Sequence, residues 1–257
     1  MALRPLSGKI IVVTRPKKQA DGLVEKLRSA GADVIEAPLI RIAPPKSYGP
    51  LDGSLKRLES FDAVIFTSAN AAEAFLKRSQ KIGLGLPARP KRLFAIGPQT
   101  AQTLRRYGWA GARSPRTYRG EELAESLGRV KGWRILIPRA EIAREILPAA
   151  LEKRGAKVIL VDAYRTVADP IGLKVLKDFP LRTIDAVIFT STSTATRFVE
   201  GLGKSRCRRL FKIAAAASIG PITSAALSAL GIKAVVQARR ATANSLFKEL
   251  EAHFKKP

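Results

Sequence analysis

The chain of 257 residues holds one cysteine, one histidine and one methionine. A lone Cys207 excludes an internal disulfide and any cysteine-built metal cluster. A lone His253, three positions after Leu250 in a C-terminal helical pattern, removes Ser-His-Asp and Cys-His triads and multi-histidine metal sites. Chemistry here therefore runs on hydroxyls, amides, Arg and Lys, carboxylates or backbone groups, and His253 itself reads as a solvated helix-end residue. Aromatic residues make up only 6% of the chain, too few for a base-stacking platform. No segment approaches the unbroken apolar length of a membrane span. The opening Met1-Ala-Leu-Arg-Pro-Leu-Ser-Gly8 lacks the apolar core of a signal peptide, and with a single cysteine the expected compartment is the reducing cytoplasm. Acidic residues are also scarce: 21 Asp and Glu stand against 46 Lys and Arg, a formal net charge of +25. That balance implies an anionic partner: nucleic acid, a membrane surface or a small polyanion.

What the chain does have is repetition. Phe61-Asp-Ala-Val-Ile-Phe-Thr-Ser-Ala-Asn-Ala71 returns as Ile184-Asp-Ala-Val-Ile-Phe-Thr-Ser-Thr-Ser-Thr194, 123 positions later. Gly132-Trp-Arg-Ile-Leu-Ile-Pro-Arg139 answers Gly8–Arg15, and Gly155-Ala-Lys-Val158 answers Gly31-Ala-Asp-Val34. Ile219-Gly-Pro-Ile-Thr-Ser224 answers Ile96-Gly-Pro-Gln-Thr-Ala101, and Asn244–Leu250 answers Glu121–Leu127. The offset stays at 123 or 124, so the chain is one unit duplicated once. Its length suffices for two compact domains with their own cores.

Each copy alternates short β-branched runs with helical patterns, which implies α/β architecture: mainly parallel sheets flanked by helices. Pro44-Pro45 forbids a helix there, and Leu39–Pro45 reads as an extended linker. In such sheets ligands sit beyond the carboxyl ends of the strands. Four polar clusters fall at those ends: Thr67, Ser68 and Asn70; Gly97, Gln99 and Thr100; Thr190, Ser191, Thr192 and Ser193; Gly220 and Thr223. Backbone N–H groups at a helix start, with hydroxyl donors, hold a carboxylate or phosphate. Each cluster taken singly is an ordinary N-cap; four at equivalent positions in a cationic chain point to anion binding. Two domains with facing edges would place all four around one cleft.

Arg15 and Arg139 end equivalent strands and suit forked recognition of carboxylates, or a salt bridge. Asp62 and Asp185, each preceding a strand, read as strand-edge or capping residues. Ser205-Arg-Cys-Arg-Arg-Leu-Phe-Lys212 reads as a solvated basic face. Its cations would lower the pKa of Cys207, with no base nearby in sequence to make it a nucleophile. Tyr164 follows an apolar strand in the position equivalent to the Leu39–Pro45 linker. It reads as a packing aromatic or, at the mouth of an interdomain cleft, as a proton donor.

Val13-Thr-Arg-Pro16, Phe66-Thr-Ser-Ala-Asn70, Ile96-Gly-Pro-Gln-Thr100, Tyr164, Phe189-Thr-Ser191 and Ile219-Gly-Pro-Ile-Thr223, in this order and spacing, resemble the uroporphyrinogen-III synthase family. The resemblance covers nearly the whole chain. It implies two similar lobes joined by a two-stranded antiparallel connector, with the chain crossing between them twice. Residues 1–37 and 168–257 would form one lobe and 44–160 the other, with connectors at 38–43 and 161–167. It implies cyclisation of hydroxymethylbilane to uroporphyrinogen III, with loss of water and inversion of the last pyrrole ring, without metal or organic cofactor. The octacarboxylate substrate accounts for a cationic protein with anion-holding helix starts. By the resemblance Tyr164 assists departure of the hydroxyl, and Thr67, Ser68, Ser191 and Thr223 match cleft positions. Ala69 and Ile222 depart from the family's usual residues, and Ala215, with Lys212 nearby, stands where spacing would place its cleft lysine. The family also implies a monomer. Two other readings stay open: a non-catalytic bilobed binder of an anionic small molecule, and a nucleic-acid binder, which lacks a recognisable reading motif.

Overall fold

The computed structural model describes residues 4–115, 120–143 and 145–255, so Met1–Leu3 of the opening stretch lie outside the described residues. The first run of elements is β1 (Ile10–Val13), α1 (Lys17–Ser29), β2 (Asp33–Glu36), β3 (Ile40–Ala43), α2 (Gly49–Lys56), β4 (Ala63–Phe66), α3 (Ala69–Lys81), β5 (Leu93–Ala95), α4 (Pro98–Arg106) and α5 (Gly120–Ser126). The second is β6 (Arg134–Ala140), α6 (Ile146–Lys153), β7 (Lys157–Ala168), α7 (Pro170–Asp178), β8 (Ala186–Phe189), α8 (Thr192–Leu202), α9 (Lys204–Leu210), β9 (Ala215–Ser218), α10 (Pro221–Ala229), β10 (Ala234–Gln237) and α11 (Ala243–Phe254).

The strands form two five-stranded sheets, ordered β10-β9-β8-β1-β2 and β3-β7-β6-β4-β5. The chain divides into two compact units: Met1–Arg41 with Val167–Pro257, and Ile42–Thr166. Each unit therefore takes two strands of its sheet from one sequence repeat and three from the other. The registers repeat with the sequence. Ile11 pairs Ala186 as Ile135 pairs Ala63, and Ile10 pairs Asp33 as Arg134 pairs Lys157, all in parallel. Even the lone Phe94–Arg113 bridge reappears as the Ala217–Val236 pairing of β9 with β10.

Asp62 and Asp185 fasten these swapped halves. Asp185 receives the Ile10 N–H on its carboxylate at 2.8 Å and gives its own N–H to the Ile10 carbonyl at 2.9 Å. Asp62 does the same with Arg134, at 2.8 and 2.9 Å. The first backbone donor of β1 and of β6 would otherwise end the ladder unmatched. The edge role read from sequence is thus a specific clamp between repeats.

Apolar strand residues are continuous because helices cover both faces. In the first unit Ile11, Val13, Ala186 and Ile188 pack on one face and Val12, Val187 and Phe189 on the other. In the second, Val64 and Phe66 face α2 and α3, and Ala63 and Ile65 face α5 and α6. Edge-to-face ring pairs repeat too: Phe66–Phe75 at 5.4 Å and Phe189–Phe198 at 5.2 Å. The Leu39–Pro45 stretch is more than a linker. It contributes β3, beside β7, and the pair runs in opposite senses: the Asp169 N–H meets the Leu39 carbonyl at 3.0 Å, while Arg165 Nε meets the Pro44 carbonyl at 2.8 Å. Gly172 on α7 lies so close to this chain that a Cβ would stand 2.1 Å from the Pro38 carbonyl oxygen.

Replacing Asp62 or Asp185 by Ala should each cost about 1–3 kcal/mol, because a strand-end N–H loses its acceptor. Replacement by Asn, which keeps an accepting oxygen, should cost less. Urea unfolding midpoints measure both, and an unchanged midpoint for both alanine variants would refute the clamp.

Candidate functional site

In both units the polar clusters stand where a strand hands over to a helix. In the second unit β4 ends at Phe66, and Ser68, in extended conformation, caps α3 by accepting the Ala71 N–H on Oγ at 3.1 Å. Thr67, Ser68 and Asn70 are half-buried around this helix start. Gly97 caps α4 with φ +89°, a left-handed value that favours glycine, and open space lies where a Cβ would stand. Gln99 is exposed, but Thr100 is buried and its hydroxyl donates to the Ile96 carbonyl at 2.9 Å. Thr100 thus braces the turn and presents no hydroxyl to solvent.

The first unit repeats the plan. Ser191 caps α8 by accepting the Thr194 N–H at 3.3 Å, while Thr192 and Ser193 are exposed on its first turn. Gly220 caps α10 with extended backbone, Thr223 is buried, and Ile222 is 55% exposed. Ala215 is buried at the start of β9 and Lys212 is exposed on the turn before it, at the amino end of that strand. Lys212 is therefore no stand-in for a lysine among the strand-end residues.

Tyr164 reaches this level through an irregularity. Arg139 pairs Asp162, but the next residue, Ala140, pairs Tyr164, so β7 carries one extra residue. Strict alternation would send Ala163 and Tyr164 to opposite faces; the bulge places both in the core cluster that holds Phe66. The Glu141 N–H, donating to the Tyr164 carbonyl at 3.0 Å, holds the strand there. The ring is 8% exposed, and its hydroxyl lies 3.3 Å from Ser68 Oγ. Nothing in the local pattern of residues forecasts this phenol–serine contact, which joins residues 96 positions apart.

The two arginines differ. Arg139, at the end of β6, donates through Nη2 to Glu145 at 2.5 Å, and this bond holds the Glu145 carboxyl below the usual carboxylate range. Its Nε and Nη1 are buried without a hydrogen-bond partner. Arg139 therefore satisfies the salt-bridge reading on one edge and keeps two donors that lack an acceptor. Arg15, at the end of β1, is largely buried, and desolvation lowers its pKa; arginine's ordinary value is high enough that it remains a cation.

The second unit thus gathers Thr67, Ser68, Asn70, Gly97, Gln99, Thr100, Arg139 and Tyr164 at one sheet end. The first gathers Arg15, Ser191, Thr192, Ser193, Gly220 and Thr223. Two hollows of about 540 and 490 Å³ involve other residues, chiefly Ser228, Lys233 and Gln237 in one and Arg28, Asp33 and Phe179 in the other. Among the described residues no three His, Cys, Asp or Glu side chains converge as metal ligands, and no helix is long and apolar enough to cross a membrane. His253 is half-buried beside Phe254, with ring centroids 5.0 Å apart, rather than fully solvated.

Cys207 corrects an expectation. The basic run containing it forms α9, whose Cys207 and Leu210 are buried while Arg208 and Arg209 are exposed. Burial outweighs the neighbouring Arg206 charge and pushes the thiol up to about 11.

Strand-swapped parallel sheets flanked by helices, with capped helix starts that present hydroxyl and backbone donors at the strand ends, define an α/β protein. The chain belongs to the uroporphyrinogen-III synthase family: the family model described as "Uroporphyrinogen-III synthase HemD" matches residues 21–248. It is 34% identical over 258 residues to the uroporphyrinogen-III synthase of Synechococcus elongatus, covering 98% of this chain and 97% of that one. It is 29% identical over 234 residues to the Chlorobaculum parvum uroporphyrinogen-III synthase, covering 88% and 91%. In fold it is similar to a mutant uroporphyrinogen III synthase of Thermus thermophilus, with TM-score 0.70, 19% identity, and 97% and 100% of the two chains covered. A Helicobacter pylori uroporphyrinogen-III synthetase superposes with TM-score 0.63 at 20% identity, covering 95% and 99%.

The folded protein should leave Cys207 unlabelled by a thiol reagent near neutral pH and become labelled on unfolding. Stoichiometric labelling of the native chain would contradict the buried, raised-pKa thiol.

Proposed function

We propose that this chain cyclises hydroxymethylbilane to uroporphyrinogen III, with loss of water and inversion of the last pyrrole ring, in tetrapyrrole biosynthesis. The similarity to a synthase over nearly the whole of both chains carries this reading. The reaction uses no metal or organic cofactor, and we place the protein in the cytoplasm as a monomer.

The bilane's hydroxyl is a poor leaving group until it is protonated. Tyr164 is the acid: its phenol gives a proton to the departing oxygen, the C–O bond breaks, and water leaves. The resulting phenolate has Ser68 at 3.3 Å, and the Ser68 oxygen already accepts the Ala71 N–H at the start of α3. With the Ser68 proton turned toward Tyr164, the new negative charge is shared with the positive end of that helix. The other product of the step is a cationic azafulvene. A bare basic site would oppose it, so the bilane's own carboxylates, once bound, supply the compensating charge. In the second unit the helix starts at Thr67–Asn70 and Gly97–Gln99, together with Arg139, offer donors to such carboxylate arms; in the first, the helix starts at Ser191–Ser193 and Gly220, together with Arg15, offer the same. The two unpartnered donors of Arg139 support its part in this.

Selection matters as much as rate, because the free bilane closes by itself to the uninverted isomer. Holding the arms folds the chain so that the substituted carbon of the last ring, rather than its free one, bonds to the azafulvene carbon; the older bond from that ring carbon to its bridging methylene then breaks, the methylene re-bonds at the free carbon, and the proton lost there returns to the Tyr164 phenolate.

Freshly prepared bilane incubated with the protein should yield mainly the inverted isomer. Only uninverted product, at the spontaneous rate, would sink the proposal. Tyr164→Phe should slow turnover by roughly ten- to ten-thousand-fold. Ser68→Ala should lower turnover by about tenfold with a smaller change in KM, as expected for loss of one hydrogen bond to a developing charge; equal turnover in both variants and wild type would remove the pair from the mechanism.

A further inference from the structure

One surplus of positive charge lies at the opposite end of the second unit's sheet. Arg92 immediately precedes β5, Lys131 and Arg134 flank the start of β6, and Lys157 opens β7. Arg134 and Lys157 are direct register partners, and all four side chains belong to exposed residues. Arg92 lies over the Trp133 ring at 4.2 Å and Arg134 over the Phe61 ring at 5.3 Å. Among the described residues none of the four finds an ion-pair partner. The carboxylate among them, Asp62, is engaged by the Arg134 backbone N–H at 2.8 Å. Glu59, on the turn before β4, and Glu152, near the end of α6, are exposed, and among the described residues neither pairs with these cations.

The duplication supplies an internal control. In the first unit the positions equivalent to Arg92, Lys131, Arg134 and Lys157 are Ala215, Ser7, Ile10 and Asp33, and Ile10 pairs Asp33 in the same register. The fold forms there without a single one of these charges, so they are not structural. Nor do they serve the strand-end chemistry. At about 3.3 Å per residue, the lengths of β5 and β6 separate them from the carboxyl ends by roughly 10–23 Å.

We propose that this face binds the phosphodiester backbone of nucleic acid, without reading its sequence. Guanidinium planes resting on aromatic rings keep their N–H edges directed outward, where they fork onto phosphate oxygens. Neighbouring strands stand about 4.8 Å apart, so the cations at the starts of β7, β6 and β5, with β4 and its engaged Asp62 between the last two, span about 14 Å along the sheet edge, a row that a backbone can follow. A lipid surface is less well matched, because none of the exposed large apolar side chains belongs to this row.

The test uses the full-length protein and a fluorescent duplex of random sequence, titrated by anisotropy over about 50–200 mM salt. One variant, Arg92→Ala/Lys131→Ser/Lys157→Asp, installs the other unit's residues. A charge-matched control, Lys204→Ser/Arg208→Ser/Arg209→Ser/Lys212→Ser, removes as much charge from α9 and the turn after it. Wild type and control should bind with similar affinity. The first variant should bind at least about tenfold more weakly, its log–log salt slope shallower by about 3. Arg92→Gln/Lys131→Gln replaces it should Lys157→Asp disturb β7, with a slope loss of about 2. All variants should retain wild-type cyclisation of the bilane. Equal weakening by both variants would reduce the effect to bulk charge and overturn the proposal. So would failure of wild type to bind the duplex, or binding to vesicles of anionic lipid in its place.

Discussion

Two carboxylates hold this architecture together. Each copy of the repeat sends its first two strands to one sheet and its later strands to the other, so neither sheet is complete within a copy. The seams lie between β1 and β8 and between β4 and β6. At each seam an aspartate just before the strand takes the first backbone N–H of its neighbour and returns its own N–H to the same residue. A slip of one residue would break that exchange and turn every apolar side chain of the strand to the wrong face. The registers of both seams agree residue for residue, which is what a clamp at the leading edge would enforce.

With the strands set, their carboxyl ends carry the polar helix starts. Ser68 and Ser191 are helix caps, and that role does not compete with binding. Ser68 accepts one N–H and keeps its own proton to orient, whereas Ser191 donates its proton to Thr194 Oγ1 at 3.4 Å; the helix start each organises still favours negative charge. Only one of the two units places a phenol beside its cap. A single extra residue in β7 brings Tyr164 onto the face of Phe66 and beside Ser68. The equivalent position in the first repeat is Ile40, in a strand that carries no such phenol.

Charge divides between the two ends of the second unit's sheet. At the carboxyl ends, uncharged hydroxyls and amides outnumber cations, which suits a substrate that brings its own carboxylates and must carry a transient positive charge. At the amino ends, exposed arginines and lysines stand without carboxylate partners. The duplicated fold shows that the second set is optional, since its counterparts are neutral or acidic and the same strands form.

Much of this was legible from residues alone. The repeated Asp-Ala-Val-Ile-Phe-Thr-Ser implies a buried parallel strand ending in a polar helix start, because four apolar residues in a row must be covered on both faces and Ser favours the cap. Composition was equally informative, since one histidine and one cysteine leave little room for triads or metal clusters. What tertiary structure alone decided depends on contacts between distant parts of the chain. Periodicity cannot register a one-residue bulge, because alternation is a local rule and the bulge is defined by the partner strand. Burial, rather than the arginines beside it in sequence, governs Cys207. The exchange of half-repeats between sheets was implied by the family resemblance and by nothing in the residues' own pattern, and the partners of Asp62 and Asp185 rest on pairings that two identical heptapeptides could satisfy either within a copy or across copies.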